Sequence, residues 1–152
     1  MKVKVIKSVN NRAFSLVELI IVIAVMAVLV GVMAPQYMKY LEKTKKTSDC
    51  AAISVILDAC EVIALDPNTE WNSSDPIEIK ITTAGATYTG GAATTLNEFV
   101  PGSSVVLESA DWGDIEIEAI KSVDGRVTFD ISDVDQKTEI NRYSTAIAER
   151  LE

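Results

Sequence analysis

The sequence contains no histidine and only two cysteines. Both shortages exclude particular classes of catalytic and metal-binding site. Without histidine there is no Ser-His-Asp or Cys-His catalysis, no histidine-ligated zinc site and no histidine pH switch. Two cysteines are too few for a structural zinc site or a disulfide-dense scaffold. Positive charge is also scarce, since the net charge is -8, whereas nucleic-acid binding needs a basic surface. We therefore expect no enzyme, no cofactor or metal site and no direct nucleic-acid binding.

The apolar residues are concentrated near the amino terminus. The chain of 152 residues is 48% hydrophobic, and its mean hydropathy is positive at +0.21 despite the acidic balance. Residues 14–34 form an apolar run with a single charge, Glu18. As a helix this run spans about 30 Å, the thickness of a bilayer core. Residues 1–13 carry four bases and no acid, so their removal leaves ten bases against 22 acids, a net charge of -12.

Two ordinary interpretations of the apolar run leave features unexplained. A cleaved secretory signal has a shorter apolar region of 7–15 residues, and Pro35 would follow its small-residue cleavage site. A plain single-pass anchor explains the length and the flanking bases, but not Glu18. A charged side chain inside a membrane helix costs roughly 2.5–3.5 kcal/mol, so it usually has a partner. Bases lie on both sides of the run and leave its orientation open.

The residues around the run resemble the type IV pilin family, whose prepilins carry class III leaders. The resemblance covers roughly residues 8–45 and includes a basic leader, a carboxylate early in the run, and a proline followed by two tyrosines. Ala13 occupies the position before the cut where the family usually has glycine. The chain has no cysteine after Cys60, which favours the Gram-positive or disulfide-poor branch. The matching residues are Asn10-Asn11-Arg12-Ala13, Phe14-Ser15-Leu16-Val17-Glu18, and Pro35, Tyr37 and Tyr40.

The resemblance implies a sequence of processing steps and a set of partners. A prepilin with its amino terminus in the cytoplasm would be cleaved between Ala13 and Phe14, N-methylated at Phe14 and polymerised into a surface filament. Glu18 of an incoming subunit would pair with the Phe14 amine of a neighbour, which offsets the penalty of an unpaired buried charge. The implied partners are other copies of the chain, a prepilin peptidase/methyltransferase, the membrane platform and assembly ATPase of the pilus machine, and membrane lipid before assembly.

Residues 31–35 are expected to be the weak point of the helix. Pro35 removes one helix hydrogen bond and clashes with the carbonyl of Gly31, and glycine lowers helix propensity. We predict a kink here that bends or melts in a filament. Tyr37 and Tyr40 lie three residues apart on one helix face, where they would line the membrane interface or the filament core.

The helical period continues to Leu65, so the predicted helix covers residues 14–65. Cys50 and Cys60 belong to an apolar seam of residues 50, 53, 57, 60 and 64. Their separation of ten residues, about 15 Å along a helix, exceeds the reach of a disulfide. We expect two packed free thiols. Other polar positions of this helix, Lys46 and Asp49 among them, are expected to face away from the seam.

Residues 66–152 are predicted to form an acidic head in which an antiparallel sheet packs on the outer half of the helix. This α+β arrangement agrees with the pilin fold. Alternating apolar residues or turn signals predict the strands, and Asp135 is the expected N-cap of a final helix. The predicted strands are residues 77–82, a short one around Tyr88, 104–109, 115–122 and 126–132. The last two are joined by a two-residue Asp124-Gly125 turn, and the helix runs from Asp135 to Leu151.

The sequence thus predicts a structural protein with four parts: a removable leader (1–13), a transmembrane or filament-core helix (14–34), its amphipathic continuation (35–65) and the head (66–152). The expected function is that of a type IV pilus subunit serving adhesion, motility or DNA uptake. Two alternatives stay open. One is a pseudopilin of a type II secretion or competence system, and the other is an unpolymerised, single-pass anchored binding domain.

Overall fold

A computed structural model describes residues 15–151 of the chain. It divides into two compact units, one ending at Tyr40 and one beginning at Leu41. The architecture is α+β and matches the pilin fold, with a long amino-terminal helix, an antiparallel sheet and short carboxyl-terminal helices. Its elements are α1 (Leu16–Leu65), β1 (Ile77–Thr82), β2 (Gly85–Gly90), α2 (Ala93–Phe99), β3 (Ile115–Lys121), β4 (Val127–Ile131), α3 (Val134–Tyr143) and α4 (Thr145–Ala148), with 3-10 turns at Gly102–Ser104 and Ala110–Trp112.

The four strands form one antiparallel sheet in the order β2-β1-β3-β4. Period-two alternation decides which side chains enter the core. In β1, Ile77, Ile79 and Ile81 are buried, while Glu78 and Lys80 face outward. The strands predicted at 77–82, around Tyr88, at 115–122 and at 126–132 are confirmed within one or two residues.

The outer part of α1 supplies the other half of this core. From Leu41 onward its seam is buried and belongs to the same apolar cluster as the strand isoleucines. Burial of each large aliphatic side chain contributes roughly 1.5–3 kcal/mol. The predicted packing of the sheet on this part of the helix is therefore confirmed. The seam residues are Cys50, Ile53, Leu57, Cys60 and Ala64, widened by Ile56 and Ile63.

The strand predicted at 104–109 is wrong. Its first residue ends a 3-10 turn, and 105–109 lie outside any strand. Burial does alternate here, because Val105, Leu107 and Ser109 are buried between exposed residues. A side chain takes the place of a neighbouring strand as the hydrogen-bond partner of Glu108 and Ser109. The Asp49 carboxylate accepts hydrogen bonds from their backbone amides, at 2.8 Å from Glu108 and 3.0 Å from Ser109.

The carboxyl-terminal helix predicted from Asp135 to Leu151 is two helices that meet at Ser144. Ser144 has an extended backbone (φ -145°), and its hydroxyl accepts a hydrogen bond from the Ile147 amide. The N-cap of α3 is Asp133 rather than Asp135, since the Asp133 carboxylate accepts from the amides of Asp135 and Gln136. A competing cap two residues earlier therefore determines the helix start.

Two smaller features of the head also differ from expectation. Helix α2 lies in an Ala- and Thr-rich stretch in which the sequence predicted no helix. The turn between β3 and β4 has three residues, 123–125, because the Ser122 amide donates to the Arg126 carbonyl. Gly125 takes a positive φ of 84° at the end of this turn, which glycine adopts without strain.

Lys46 and Asp49 are buried instead of facing away from the seam, with 7% and 1% of their surfaces exposed. The Lys46 ammonium lies 2.9 Å from the Glu139 carboxylate and 5.2 Å from the centre of the Trp112 ring. The hydrogen bond to Glu139 raises the pKa of Lys46, although burial acts in the opposite direction. Lys46 thus joins α1 to α3 and to the turn at Trp112, while Asp49 joins α1 to residues 105–109.

We predict that Asp49→Ala destabilises the head by about 2 kcal/mol, because it leaves two backbone amides without an acceptor. Urea unfolding of the full chain in detergent micelles, followed by the fluorescence of buried Trp71 and Trp112, measures the loss. Glu98→Ala, at an exposed position on α2, is the matched control. Equal midpoints for the two variants would show that Asp49 does not hold this segment.

Candidate functional site

The part of α1 before Leu41 is an apolar surface. Its most apolar 18-residue window has a mean hydropathy of 3.0 and none of it is buried, so by length and composition the helix can cross a membrane. Large apolar side chains are exposed along this segment; Val30, for example, is 64% exposed. Exposed apolar surfaces of this extent mark contact with lipid or with another protein.

Glu18 lies at the start of this surface and caps its own helix. Its carboxylate accepts a hydrogen bond from the Ser15 backbone amide at 2.9 Å, and the Ser15 carbonyl accepts from Leu19. Ser15 and Glu18 have the Ser-x-x-Glu spacing of a capping box, and negative charge is favoured at a helix amino terminus. Sequence reasoning missed this intrachain partner, although the spacing is visible in the sequence.

The predicted cleavage site falls outside the described part of the chain. Ala13 and Phe14 precede Ser15, the first described residue. Cleavage, methylation of Phe14 and pairing of its amine with Glu18 therefore stay predictions. Adjacency in the sequence places the new amine one residue before the amide that Glu18 binds.

Gly31 and Pro35 both lie inside α1, which continues through the proline. A Cβ atom at Gly31 would meet no atom of the described chain within 4 Å beyond its own helix backbone and adjoining residues. The packing of the single chain therefore gives no reason for a glycine at this position. The kink stays a prediction.

Tyr37 and Tyr40 border the same apolar hollow of the helix surface, together with Leu29 and Met33. The two residues are 61% and 67% exposed. The structure thus brings the two predicted aromatics to one apolar face, and their contact with a membrane interface or with other subunits stays a prediction.

Both cysteines are buried free thiols on the seam of α1. Burial raises the pKa of the Cys50 thiol to about 11 and that of Cys60 to about 12. The nucleophilic form of cysteine is the thiolate, so neither side chain is a reactive group at neutral pH. Among residues 15–151, no group of three or more acids and cysteines is placed to hold a metal ion.

Comparison with known families identifies the amino-terminal segment. Residues 9–34 match the family model described as the prokaryotic N-terminal methylation motif, a span that contains Ala13, Phe14 and Glu18. No curated protein and no solved structure matches the chain at a significant level. The match supports a type IV pilin-like prepilin. The leader motif and the exposed apolar helix fit a membrane-anchored prepilin, and the motif suggests a structural, non-enzymatic protein.

We predict that iodoacetamide at pH 8 alkylates Cys50 roughly 100-fold more slowly in the folded chain than in the urea-unfolded chain, and Cys60 more slowly still. Raising the Cys50 pKa from 9.0 to about 11 lowers its thiolate fraction at pH 8 by roughly this factor, and the Cys60 pKa is raised further, to about 12. Peptide mass spectrometry over a time course measures both rates in one sample. Similar rates for folded and unfolded chains would contradict the buried placement of the thiols.

Proposed function

We propose that this protein is the structural subunit of a type IV pilus. It is inserted in the cytoplasmic membrane as a prepilin, cleaved after Ala13, N-methylated at Phe14 and polymerised into a helical surface filament. The observation that carries this proposal is the exposed apolar surface of α1, which begins with a carboxylate inside the residues that match the methylation motif. The acidic head and the outer part of α1 bury a shared apolar core, whereas the part of α1 before Leu41 leaves its apolar side chains exposed.

In the proposed route the apolar helix changes its surroundings once. Lipid surrounds it in the membrane, and the helices of neighbouring subunits pack around it in the filament. Lipid tails and aliphatic side chains are similarly apolar, so the transfer gains little from hydrophobic burial itself. Close packing between helices and polar contacts must therefore make assembly favourable, and polar contacts can determine its register.

Glu18 can supply such a contact by exchanging partners. In the single chain its carboxylate binds the uncharged Ser15 amide. In the filament it would bind the Phe14 amine of a neighbour, which is largely cationic because α-amines titrate near pH 7.7–8.0. The new pair adds the attraction between two opposite charges, which is stronger in an apolar, low-dielectric surrounding than in water. The exchange favours assembly and fixes the position of each new subunit.

The proposal includes the partners and locations that the processing route requires. These are other copies of the chain, the prepilin peptidase/methyltransferase, the platform and ATPase of the pilus machine, and lipid before assembly. The assembled filament would serve adhesion, motility or DNA uptake, and its helix would bend or melt near Gly31 and Pro35. A pseudopilin carries the same amino-terminal motif and is processed identically, so it is the second candidate. An anchored domain that never polymerises is the third.

We predict that material sheared from cells contains this subunit with methylated Phe14 as its first residue. Mass spectrometry of the sheared fraction measures both the cut and the methyl group. Ala13→Leu is the matched variant, since a bulky residue before the cut should block processing and leave Met1 in the membrane fraction. An unaltered chain that also keeps Met1 and stays in the membrane fraction would refute the pilin interpretation.

We predict that Glu18→Ala abolishes filaments but leaves membrane insertion intact, because it removes the carboxylate that pairs with the neighbouring amine. Glu18→Gln keeps a hydrogen-bond acceptor for the Ser15 amide but loses the charge, and should reduce filament yield at least tenfold. Immunoblots of sheared and membrane fractions measure yield and insertion, with Glu98→Ala as the control. Normal filaments from Glu18→Ala would contradict the pairing.

A further inference from the structure

The two edge strands of the sheet, β2 and β4, differ in how they are covered. Beside β2, the backbone of Gly102 lies so close to the Ala86 carbonyl that a Cβ atom on this glycine would come within 2.1 Å of its oxygen. On β4, the amide of Ser122 bonds to the carbonyl of Arg126, so residues 126, 128 and 130 turn their backbone groups toward β3. The residues between them turn theirs away from the sheet.

The outward backbone groups of β4 are unpaired. Val127, Phe129 and Ile131 point their amides and carbonyls away from β3, and within residues 15–151 none of these groups has a hydrogen-bond partner. A strand edge with free amides and carbonyls is a template for an extended strand from another chain. The edge of β4 is therefore a binding surface for such a strand.

The side chains beside this edge carry one positive and one negative charge. Arg126, Thr128 and Asp130 alternate with the outward backbone groups, and all three are exposed. Neither Arg126 nor Asp130 forms an ion pair in the described part of the chain. Charges on an edge strand usually oppose pairing with another chain. Here the two charges have opposite signs and lie at equal distances in sequence on either side of Thr128, so they do not repel a second copy of the same strand.

A second copy of β4 fits this edge in an antiparallel arrangement centred on Thr128. In this register Arg126 of each copy lies opposite Asp130 of the other, and the two Thr128 side chains face each other. Val127 of each copy lies opposite Phe129 of the other, so their outward amides and carbonyls exchange hydrogen bonds. Opposite charges and paired threonines both stabilise neighbouring strands when they lie directly across from each other.

We propose that the β4 edge of one copy of this chain pairs with the β4 edge of a second copy, antiparallel and centred on Thr128. Charge complementarity favours a second copy over an unrelated strand, because a two-fold axis at Thr128 brings Arg126 of each chain opposite Asp130 of the other. The inference goes beyond the proposed function. A two-fold contact closes on two copies, so it does not build a filament and applies whether or not the chain polymerises.

Cysteine cross-linking tests this pairing in the full chain in detergent micelles. Residues that face each other without exchanging hydrogen bonds have Cα atoms about 4.5 Å apart, within the range of a disulfide. Thr128→Cys should therefore form a covalent dimer when diamide is added, whereas the native cysteines are buried. Thr87→Cys on β2 is the matched control, because both hydroxyls lie 3.4 Å from a carbonyl of the neighbouring strand. We expect Thr128→Cys to dimerise at least about tenfold faster than Thr87→Cys on non-reducing gels.

Charge reversal tests the register. In the Thr128→Cys chain, Arg126→Asp alone and Asp130→Arg alone should each slow dimer formation at least about fivefold, because each places like charges opposite one another. The two changes together should restore at least about half of the original rate. Salt gives a second measurement: raising NaCl from about 0.05 M to about 0.5 M should slow the reaction by screening the ion pairs. Random encounters between chains with a net charge of -8 would become faster in salt instead.

Equal dimerisation rates for Thr128→Cys and Thr87→Cys, or a reaction that salt accelerates, would overturn the pairing. Single charge variants that react at the unaltered rate, or a double variant as slow as either single variant, would also overturn it. Fluorescence of the buried tryptophans checks that each variant is folded, and Asp130→Lys replaces Asp130→Arg if the latter is not. None of these measurements needs a filament, so a failed pairing leaves the proposed function unaffected, and an absence of filaments leaves the pairing unaffected.

Discussion

The exposed apolar surface of α1 before Leu41 is the constraint on which the rest of the protein depends. The two parts of α1 differ in burial. The seam after Leu41 is buried in the core with the sheet, whereas the apolar side chains before Leu41 are exposed. The head and the outer part of α1 therefore share one buried core, while the exposed apolar side chains of the inner helix favour contact with lipid or with another protein. A leader that matches the methylation motif, followed by such a helix, agrees with a protein that is first anchored and then assembled.

Three charged side chains of α1 make specific contacts. Glu18 binds the start of its own helix, Lys46 binds Glu139, and Asp49 binds two backbone amides of the segment before the Trp112 turn. Of these three, Lys46 and Asp49 are buried, and their charges are tolerated because each has a partner. The two contacts in the head fix how its irregular segment and its carboxyl-terminal helices pack on α1. The contact of Glu18 with Ser15 lies within one helix turn. In the proposed assembly Glu18 would exchange this partner for the Phe14 amine of a neighbour.

Periodicity predicted α1 and β1, because the 3.6-residue period of the helix seam and the two-residue period of the strand are both local. It did not predict α2 or the division of the last helix at Ser144. It failed at 104–109, where burial alternates although Asp49, about 60 residues away, holds the backbone. Lys46 and Asp49 were assigned to the polar side because their distant partners cannot be inferred from neighbouring residues. In contrast, the bond between Ser15 and Glu18 was predictable from their spacing. The match to the methylation motif supports the amino-terminal resemblance.

In the proposed filament, copies of the apolar helix bury one another and Glu18 fixes their register. Electron cryo-microscopy of sheared filaments, at a resolution that shows side chains, tests this arrangement most directly. We expect apolar helices along the filament axis, with each Glu18 carboxylate within hydrogen-bonding distance of the Phe14 amine of a neighbour. Helices at the filament surface, or Glu18 carboxylates that contact only their own Ser15, would contradict it.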